Sequence, residues 1–382
     1  MSKASPKKNS KAFAYTPQHS LPKLKKTQDT WALKKLYYTS EKSPAFLRDV
    51  AFIEKSYRAF AKRWKNKSFT SSAKQLATAL AEYENLTSDP RVSKPGRYLG
   101  FRLAVDSNDA AAKKAKAQLH QRLRPVFESV VFFRLAIGAI PKSTQKKYLS
   151  NPVLAPYRYY LERVFLESSH DLTEAEEKII SLKASQSYSR WVNAVETVLS
   201  NRTLSFKGKS VPVPTAIETL NSRPRAEREQ LWKLILSEMK KIGEFAEHEF
   251  NAIITDARTE DELRGYKKPY SATALNYEDT EQSIENLVAV MSDEGFKLSK
   301  TFYRHKAAYQ GVKQINYVNK YEPIGPQWHI PYEQAVKICR DVFYGLKNEY
   351  GAIFDRMLSN GQIDVYPRSG KRGGAFMSDA VG

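Results

Sequence analysis

Cysteine is almost absent from this sequence of 382 residues, which contains one, Cys339. A single cysteine excludes an internal disulfide framework and any metal cluster built from several thiolates. Glycine is also scarce, at 16 residues, and neither G-x-x-x-x-G-K-[ST] nor G-x-G-x-x-G occurs, which argues against a glycine-rich phosphate loop. The low cysteine content favours a reducing, cytoplasmic compartment.

Long hydrophobic runs are missing as well. The longest apolar stretch, residues 126–140, is interrupted by Glu128, Arg134 and Gly138, so it is too short and too polar to span a membrane. Residues 1–13 contain four lysines but no apolar segment, so they do not form a secretory signal. We therefore expect a cytoplasmic protein with no membrane partner.

Acidic residues are outnumbered: 62 Lys and Arg face 41 Asp and Glu, a net charge of +21. Residues 1–70 hold 17 of the basic and 4 of the acidic residues, a net of +13. Their first part, residues 1–28, has the prolines and lysines typical of a flexible basic arm. Such an arm either contacts nucleic acid through counterion release or acts as a solubilising tail. We favour the tail, because no groove-reading helix or arginine–aromatic motif accompanies it.

Apolar residues recur mostly at spacings of three and four, which predicts helices along most of the chain. Thr173 and Glu176 form a capping box that predicts a helix running to about Leu199. Alternation over residues 203–213 around Lys207 and Gly208 predicts a short hairpin.

The second half of the chain carries further helical patterns. One long helix is predicted through residues 231–254, a loop over 264–276, and further helices through 284–298 and 331–361. Cys339 lies on the apolar side of the last of these and is predicted to be a small buried hydrophobe. Residues 363–366 and 375–377 are predicted as strands.

Direct inspection of the reactive residue types reveals no catalytic constellation. No two of the six histidines stand at metal-ligand spacing. The pair His248-Glu249 begins like the zinc-protease signature H-E-x-x-H, but Ala252 occupies the position of the second histidine. We therefore predict no catalytic residue and no metal ligand, and we interpret this pair as a polar pair on a solvated helix face.

Several segments nevertheless resemble the oligoendopeptidase F group of zinc metallopeptidases, relatives of thimet oligopeptidase. The matches are distributed in order along residues 31–376. They are W-A-L-K-K-L-Y at 31–37, Y-E-N-L-T-S-D at 83–89, L-T-E-A-E-E at 172–177, N-A-I-I at 251–254, R-G-Y at 264–266 and I-D-V-Y-P-R-S-G-K-R-G-G-A-F at 363–376.

The resemblance implies a peptidase that hydrolyses internal bonds of short peptides with a zinc-activated water. In relatives, the H-E-x-x-H helix follows the last of these motifs and supplies two zinc ligands and the general base. This sequence contains no H-E-x-x-H. We therefore expect the N-terminal portion of such a peptidase, inactive alone, with zinc implied only by resemblance and a separate C-terminal catalytic segment as an expected partner.

The predicted fold class is mainly α: a helical N-terminal lobe and the start of a helical, thermolysin-like catalytic lobe, with a small sheet near the C-terminus. The predicted domains are the arm 1–28, the lobe 29–200 and an incomplete catalytic lobe 201–382. The alternative function is a non-enzymatic helical binding protein whose basic arm contacts nucleic acid.

By resemblance, Gly373, Gly374, Ala375 and Phe376 begin the strand along which a peptide substrate lies. Glycines let two backbones approach, and free backbone groups of a strand pair with an extended peptide. Lys371 and Arg372 face either substrate carboxylates or solvent, and we favour solvent.

Overall fold

The computed structural model describes residues 13–24, 26–184, 188, 190–325, 330–366, 368, 370–372 and 374–378. Almost all regular structure in them is helical, so the predicted mainly α class is confirmed. The chain forms two compact units, one of residues 1–165 and 328–382 and the other of residues 166–327. The predicted boundaries after residues 28 and 200 stay a prediction.

The first unit is built from α-helices with one 3-10 helix between them. Its elements are Leu33–Leu36, Pro44–Trp64, Ala73–Ser88, Pro90–Val105, Ala110–Glu128, Val131–Gly138, Lys142–Leu149, the 3-10 helix Pro152–Tyr157, Arg158–Glu167, which ends just beyond the unit, Tyr332–Leu346 and Asn348–Asn360.

Side-chain caps fix where several of these helices begin. Ser43, Ser72, Asp89 and Asp109 each accept a hydrogen bond from a backbone N–H in the first turn of the helix that follows. Such caps satisfy donors that have no partner inside the helix. The helix starts are therefore encoded locally in the sequence.

An aromatic cluster lies at the centre of the first unit. Phe133 is fully buried, and its ring centroid lies 5.2 Å from Phe60, 4.9 Å from Phe69 and 4.8 Å from Tyr83. The apolar faces of the helices Pro44–Trp64, Ala73–Ser88 and Val131–Gly138 meet in this cluster, which also contains Leu76. Their i, i+3 and i+4 spacing is what made them recognisable in the sequence.

The second unit contains helices and one short hairpin. Its elements are the 3-10 helix Ser168–His170, Glu174–Ala184, Arg190–Ser200, the strands Thr203–Phe206 and Lys209–Pro212, Val213–Glu218, the 3-10 helix Leu220–Ser222, Arg225–Lys240, Gly243–Arg264, Ser271–Asn276, Glu281–Val290, the π-helical turn Met291–Gly295, Phe296–Tyr309 and the 3-10 helix Tyr317–Asn319.

Two local predictions are confirmed in this unit. Thr173 accepts a hydrogen bond from the Glu176 N–H at 3.3 Å, and the Thr173 N–H donates to the Glu176 carboxylate at 2.9 Å, which is the predicted capping box. The two strands pair antiparallel with Phe206 opposite Lys209. Lys207 and Gly208 between them both have positive φ, at 52° and 76°, as a tight hairpin turn requires.

Three predicted helical boundaries are wrong. The helix predicted through 231–254 is two helices, broken at Lys241 and Ile242 immediately before Gly243. The helix predicted up to Gly361 is also two, because Lys347 is extended (φ −168°). The predicted loop 264–276 contains the helix Ser271–Asn276. Apolar spacing continues across such breaks, so periodicity alone does not reveal them.

The sheet lies in the middle of the chain and not near the C-terminus. In the described parts of residues 361–378, Ile363–Tyr366 and Ala375–Met377 belong to no strand. The Val365 N–H instead donates to the Asp29 carbonyl at 2.8 Å.

Cys339 is exposed, so its predicted burial is wrong. The buried residues of its helix are Val336, Arg340 and Asp341. The helix therefore buries two charged residues that lie outside the apolar spacing and have hydrogen-bonding partners, whereas Cys339, which follows that spacing, is exposed.

No helix in the described residues is both long enough and apolar enough to cross a bilayer.

Candidate functional site

The predicted peptide-binding residues lie at the end of the first unit. Gly373 is outside the described residues. Gly374, with φ of +80°, Ala375 and Phe376 are exposed. The Phe376 ring packs edge-on against Trp31, with centroids 5.9 Å apart, and Trp31 in turn lies 4.7 Å from Phe101. The exposed segment is therefore held by the packing of Phe376 on Trp31, which itself packs on Phe101.

Backbone hydrogen bonds hold the chain on the approach to Gly374. Residues 361–372 are tied to the loop before the first helix and to the end of the helix Pro90–Val105. The bonds are Ala32 N–H to Gly361 O at 2.8 Å, Val365 N–H to Asp29 O at 2.8 Å, Ser107 N–H to Gly370 O at 2.6 Å and Arg372 N–H to Ala104 O at 2.9 Å.

Asp364 is the electrostatic centre of this segment. Its side chain is 6% exposed and accepts two hydrogen bonds of 2.8 Å from the Arg368 guanidinium, while Lys371 Nζ lies 2.6 Å away. Burial alone raises the pKa of this carboxyl, but the bonds from Arg368 and Lys371 outweigh it and lower the pKa to about 2. Asp364 is therefore a structural anion that pins the loop.

Lys371 faces neither solvent nor a substrate. Its side chain is 17% exposed, and it donates to the carbonyls of Asp364 at 3.1 Å and Tyr366 at 2.9 Å. The prediction that Lys371 faces solvent is wrong, because its ammonium group pairs with the Asp364 carboxylate. Arg372 is exposed, as expected, with its guanidinium 5.6 Å from the Phe376 ring centroid.

Gly370 is required by the path of the loop. Its φ of +79° lies in the left-handed region, and a Cβ at this position would overlap Asp106 Oδ1. Only glycine satisfies both conditions without a local shift. The glycines of the motif thus serve the folding of the loop as well as any contact with a peptide.

A second buried carboxylate, Asp341, holds the segment 13–24 in place by hydrogen bonds. It accepts hydrogen bonds from Tyr15 OH at 2.6 Å, the Gln18 N–H at 2.9 Å and the His19 N–H at 2.9 Å, with His19 Nδ1 also 2.9 Å away. The Gln18 N–H and the Tyr15 hydroxyl hold the pKa of Asp341 well below its usual range. The described part of the predicted arm is therefore fastened, and residues 1–12 lie outside the described residues.

The zinc that the resemblance implies does not fit the described residues. No group of three His, Cys, Asp or Glu side chains among them stands close enough to hold a metal ion. His170 Nδ1 is hydrogen-bonded to the Arg264 carbonyl at 2.8 Å. His248 lies exposed on the helix Gly243–Arg264, where Ala252 occupies the next turn.

The segment offers contacts for binding and, among its described residues, no catalytic group. It offers an exposed backbone beside the packed rings of Phe376, Trp31 and Phe101. Neither anchor was recognised in the sequence: the ion-pair partners of Asp364 are Arg368 and Lys371, four and seven residues along the chain, whereas the hydrogen-bond partners of Asp341 lie more than 320 residues away. The one signal for Asp341 was an Arg-Asp pair inside an otherwise apolar helical pattern.

Comparisons with known proteins agree with this fold. A family model described as Oligopeptidase F matches residues 137–200. Oligopeptidase PepF of Bacillus subtilis (strain 168) is 22% identical over 374 residues, which are 94% of this chain and 53% of that protein. The chain thus spans about half the length of the curated relative it matches.

Two solved structures share the fold. Oligoendopeptidase-F from Enterococcus faecium aligns over 83% of this chain and 66% of its own, with a TM-score of 0.61 and 14% identity. A structure from Chlamydophila abortus aligns over 92% of this chain and 59% of its own, with a TM-score of 0.61 and 18% identity.

Proposed function

From the confirmed resemblance to the oligoendopeptidase F family, we propose that this chain binds short peptides along residues 374–376 and does not hydrolyse them alone. In this proposal the bound peptide lies extended beside the exposed backbone. Bond cleavage needs a zinc site, and no group of three metal-binding side chains lies together among the described residues.

One observation supports the binding proposal above all. Within the described part of the chain, the backbone N–H and C=O groups of residues 374–378 form no hydrogen bond, and the segment is exposed and belongs to no helix or strand. Unpaired groups on an extended segment are a template for strand addition, in which main-chain bonds supply affinity.

The anchors described above hold the chain on the N-terminal side of that template. Asp364 with its two cations, and Arg372 bonded to Ala104, hold the chain immediately before Gly374. A segment that is ordered before binding loses less conformational entropy when a peptide pairs with it. The half-exposed ring of Phe376, packed on Trp31, offers an apolar contact for a peptide side chain.

The lack of hydrolysis in this proposal rests on the donor set. A catalytic zinc needs three protein ligands, a bound water and a base to take the proton of that water. The sequence holds one His-Glu pair, His248-Glu249, and its helix provides no second histidine one turn later. The proposed role is therefore recognition, completed elsewhere by a segment that carries the metal.

The first test removes one backbone donor. Ala375→Pro deletes the N–H at the centre of the exposed segment, whereas Ala375→Ser keeps it. We expect calorimetry with a flexible, blocked peptide of about eight residues to show about tenfold weaker binding for Ala375→Pro and unchanged binding for Ala375→Ser. Equal affinity of both variants would place the peptide elsewhere.

The second test measures zinc and turnover together. We expect the purified chain to hold far less than one zinc per molecule by elemental analysis after exchange into zinc-containing buffer. We also expect it to leave a quenched fluorogenic peptide uncut, with or without added zinc. Stoichiometric zinc together with hydrolysis that a chelator abolishes would contradict the proposal.

A further inference from the structure

The helical stretch from Glu281 to Tyr309 exposes a row of apolar side chains that the proposed function does not use. It consists of Glu281–Val290, the π-helical turn Met291–Gly295 and Phe296–Tyr309. Leu287 is 63% exposed, Leu298 75% and Phe302 50%. Single exposed apolar residues are ordinary, but a row along one helical stretch marks an interaction surface.

Polar contacts fix this stretch at both ends. Near its start, Lys268 and the Tyr270 hydroxyl bond to Glu285, the latter at 2.7 Å. Near its end, Lys306 is buried and donates to the Lys320 carbonyl at 2.7 Å, beside the buried Ala307. The helix is thus held against its own unit while the apolar row faces outward.

The charges along the stretch are segregated by sign. Residues 279–295 contain five acidic residues and no basic one, and residues 296–309 contain four basic residues and no acidic one. Lys268 already pairs with Glu281 and Glu285. The side chains of Asp293 and Glu294 are 78% and 64% exposed, although Lys297 pairs with both.

The basic half of the stretch, residues 296–309, carries two charged side chains outside any ion pair of the described residues. Lys300 and Arg304 are exposed and form no ion pair with any described residue. The helix therefore carries an acidic end and a basic end on either side of Gly295, with apolar side chains along both.

We propose that this face binds the same face of a second copy of this chain, with the two helices antiparallel. Antiparallel pairing places the basic half of one copy on the acidic half of the other, whereas parallel pairing opposes like charges. A two-fold axis next to Gly295 sets Met291 opposite the partner's Leu298 and Leu287 opposite the partner's Phe302. The surface is self-complementary, as a closed dimer requires.

The mass in solution tests the proposal. We expect light scattering to show a mass that rises from 43.6 kDa towards twice that value as protein concentration increases. Leu298→Glu and Phe302→Glu should stay monomeric. Leu263→Glu, which alters a residue 58% exposed outside the row, is the matched control and should still dimerise. A wild-type monomer at every concentration overturns the proposal.

A charge-exchange experiment tests the orientation. The variant Lys297→Glu/Lys300→Glu removes the net positive charge of the basic half, which falls from +4 to zero, and Asp293→Lys/Glu294→Lys adds basic charge to the acidic half. We expect each variant alone to be monomeric and the equimolar mixture to form a one-to-one dimer that high salt dissociates. All four positions are exposed, so circular dichroism should show folded chains. Dimers of either variant alone, or no dimer in the mixture, would rule out the antiparallel pairing.

Discussion

We expect Phe133→Ala to lower the free energy of unfolding by about 3–5 kcal/mol, the largest effect of any single change considered for this chain. Phe133 is fully buried among the rings of Phe60, Phe69 and Tyr83. Removing its ring loses the transfer free energy of the buried atoms. It also leaves a cavity whose aromatic walls collapse only partly, because two helices and the turn between them fix the positions of Phe60, Tyr83 and Phe69.

Urea denaturation followed by circular dichroism measures this loss as a shift in midpoint. Phe250→Ala is the control, because it removes the same atoms from a side chain that is 65% exposed. We expect it to cost no more than about 0.5 kcal/mol. A loss below about 1 kcal/mol for Phe133→Ala would mean that the aromatic cluster is not the centre of this core.

The second large effect is expected at Asp364. Asp364→Ala leaves Arg368 and Lys371 facing each other without the carboxylate that holds them. Removing one partner of such a buried pair is strongly destabilising, and we expect a local loss of about 2 kcal/mol after allowing for the partly exposed Arg368. The loop after Gly361 should open while the helical core stays folded.

Hydrogen exchange reads this opening residue by residue. The amides of Val365, Arg372 and Ser107 are hydrogen-bonded only while the loop is seated. We expect their protection factors to fall roughly thirtyfold in Asp364→Ala. Amides of the helix Pro44–Trp64 serve as the internal reference and should not change. Unchanged protection at all three loop amides would show that Asp364 does not pin the segment.

The ion pairs of Asp364 with Arg368 and Lys371 also predict that the stability of the loop depends on pH in the acidic range. The pKa of Asp364 is lowered to about 2, from an ordinary value of 3.8. A carboxyl with a depressed folded-state pKa contributes its full stabilisation above pH 3.8 and loses it as the pH falls through 2. We therefore expect the difference in loop protection between the wild type and Asp364→Ala to be constant above pH 4 and to shrink between pH 4 and pH 2.

Local features of this protein were readable from its sequence because their partners are neighbours in the chain. Thr173 and Glu176 are three residues apart, and the hairpin turn needs only Lys207 and Gly208 between two alternating stretches. Helical periodicity likewise revealed most of the helices, and the ordered motifs revealed the family resemblance. Each of these signals is contained within a few turns of chain.

Tertiary structure alone decided where the periodic pattern breaks and which polar residues are buried. Lys347 interrupts one predicted helix without a proline or a glycine beside it. Asp341 is buried although it lies outside the apolar spacing of its helix, because its hydrogen-bond donors arrive from residues 15–19, more than 300 positions away. Pairing over such a distance leaves no periodic trace in either segment.

The sequence by itself thus determined the helical class, the local caps and turns, and the resemblance to a peptidase family. The tertiary structure decided that the glycine-rich motif is a pinned loop and not a sheet strand, and that Cys339 is exposed. The physical reason is that burial of a charged side chain depends on partners assembled from distant segments. Helix and turn propensities, in contrast, depend on residues within one or two turns.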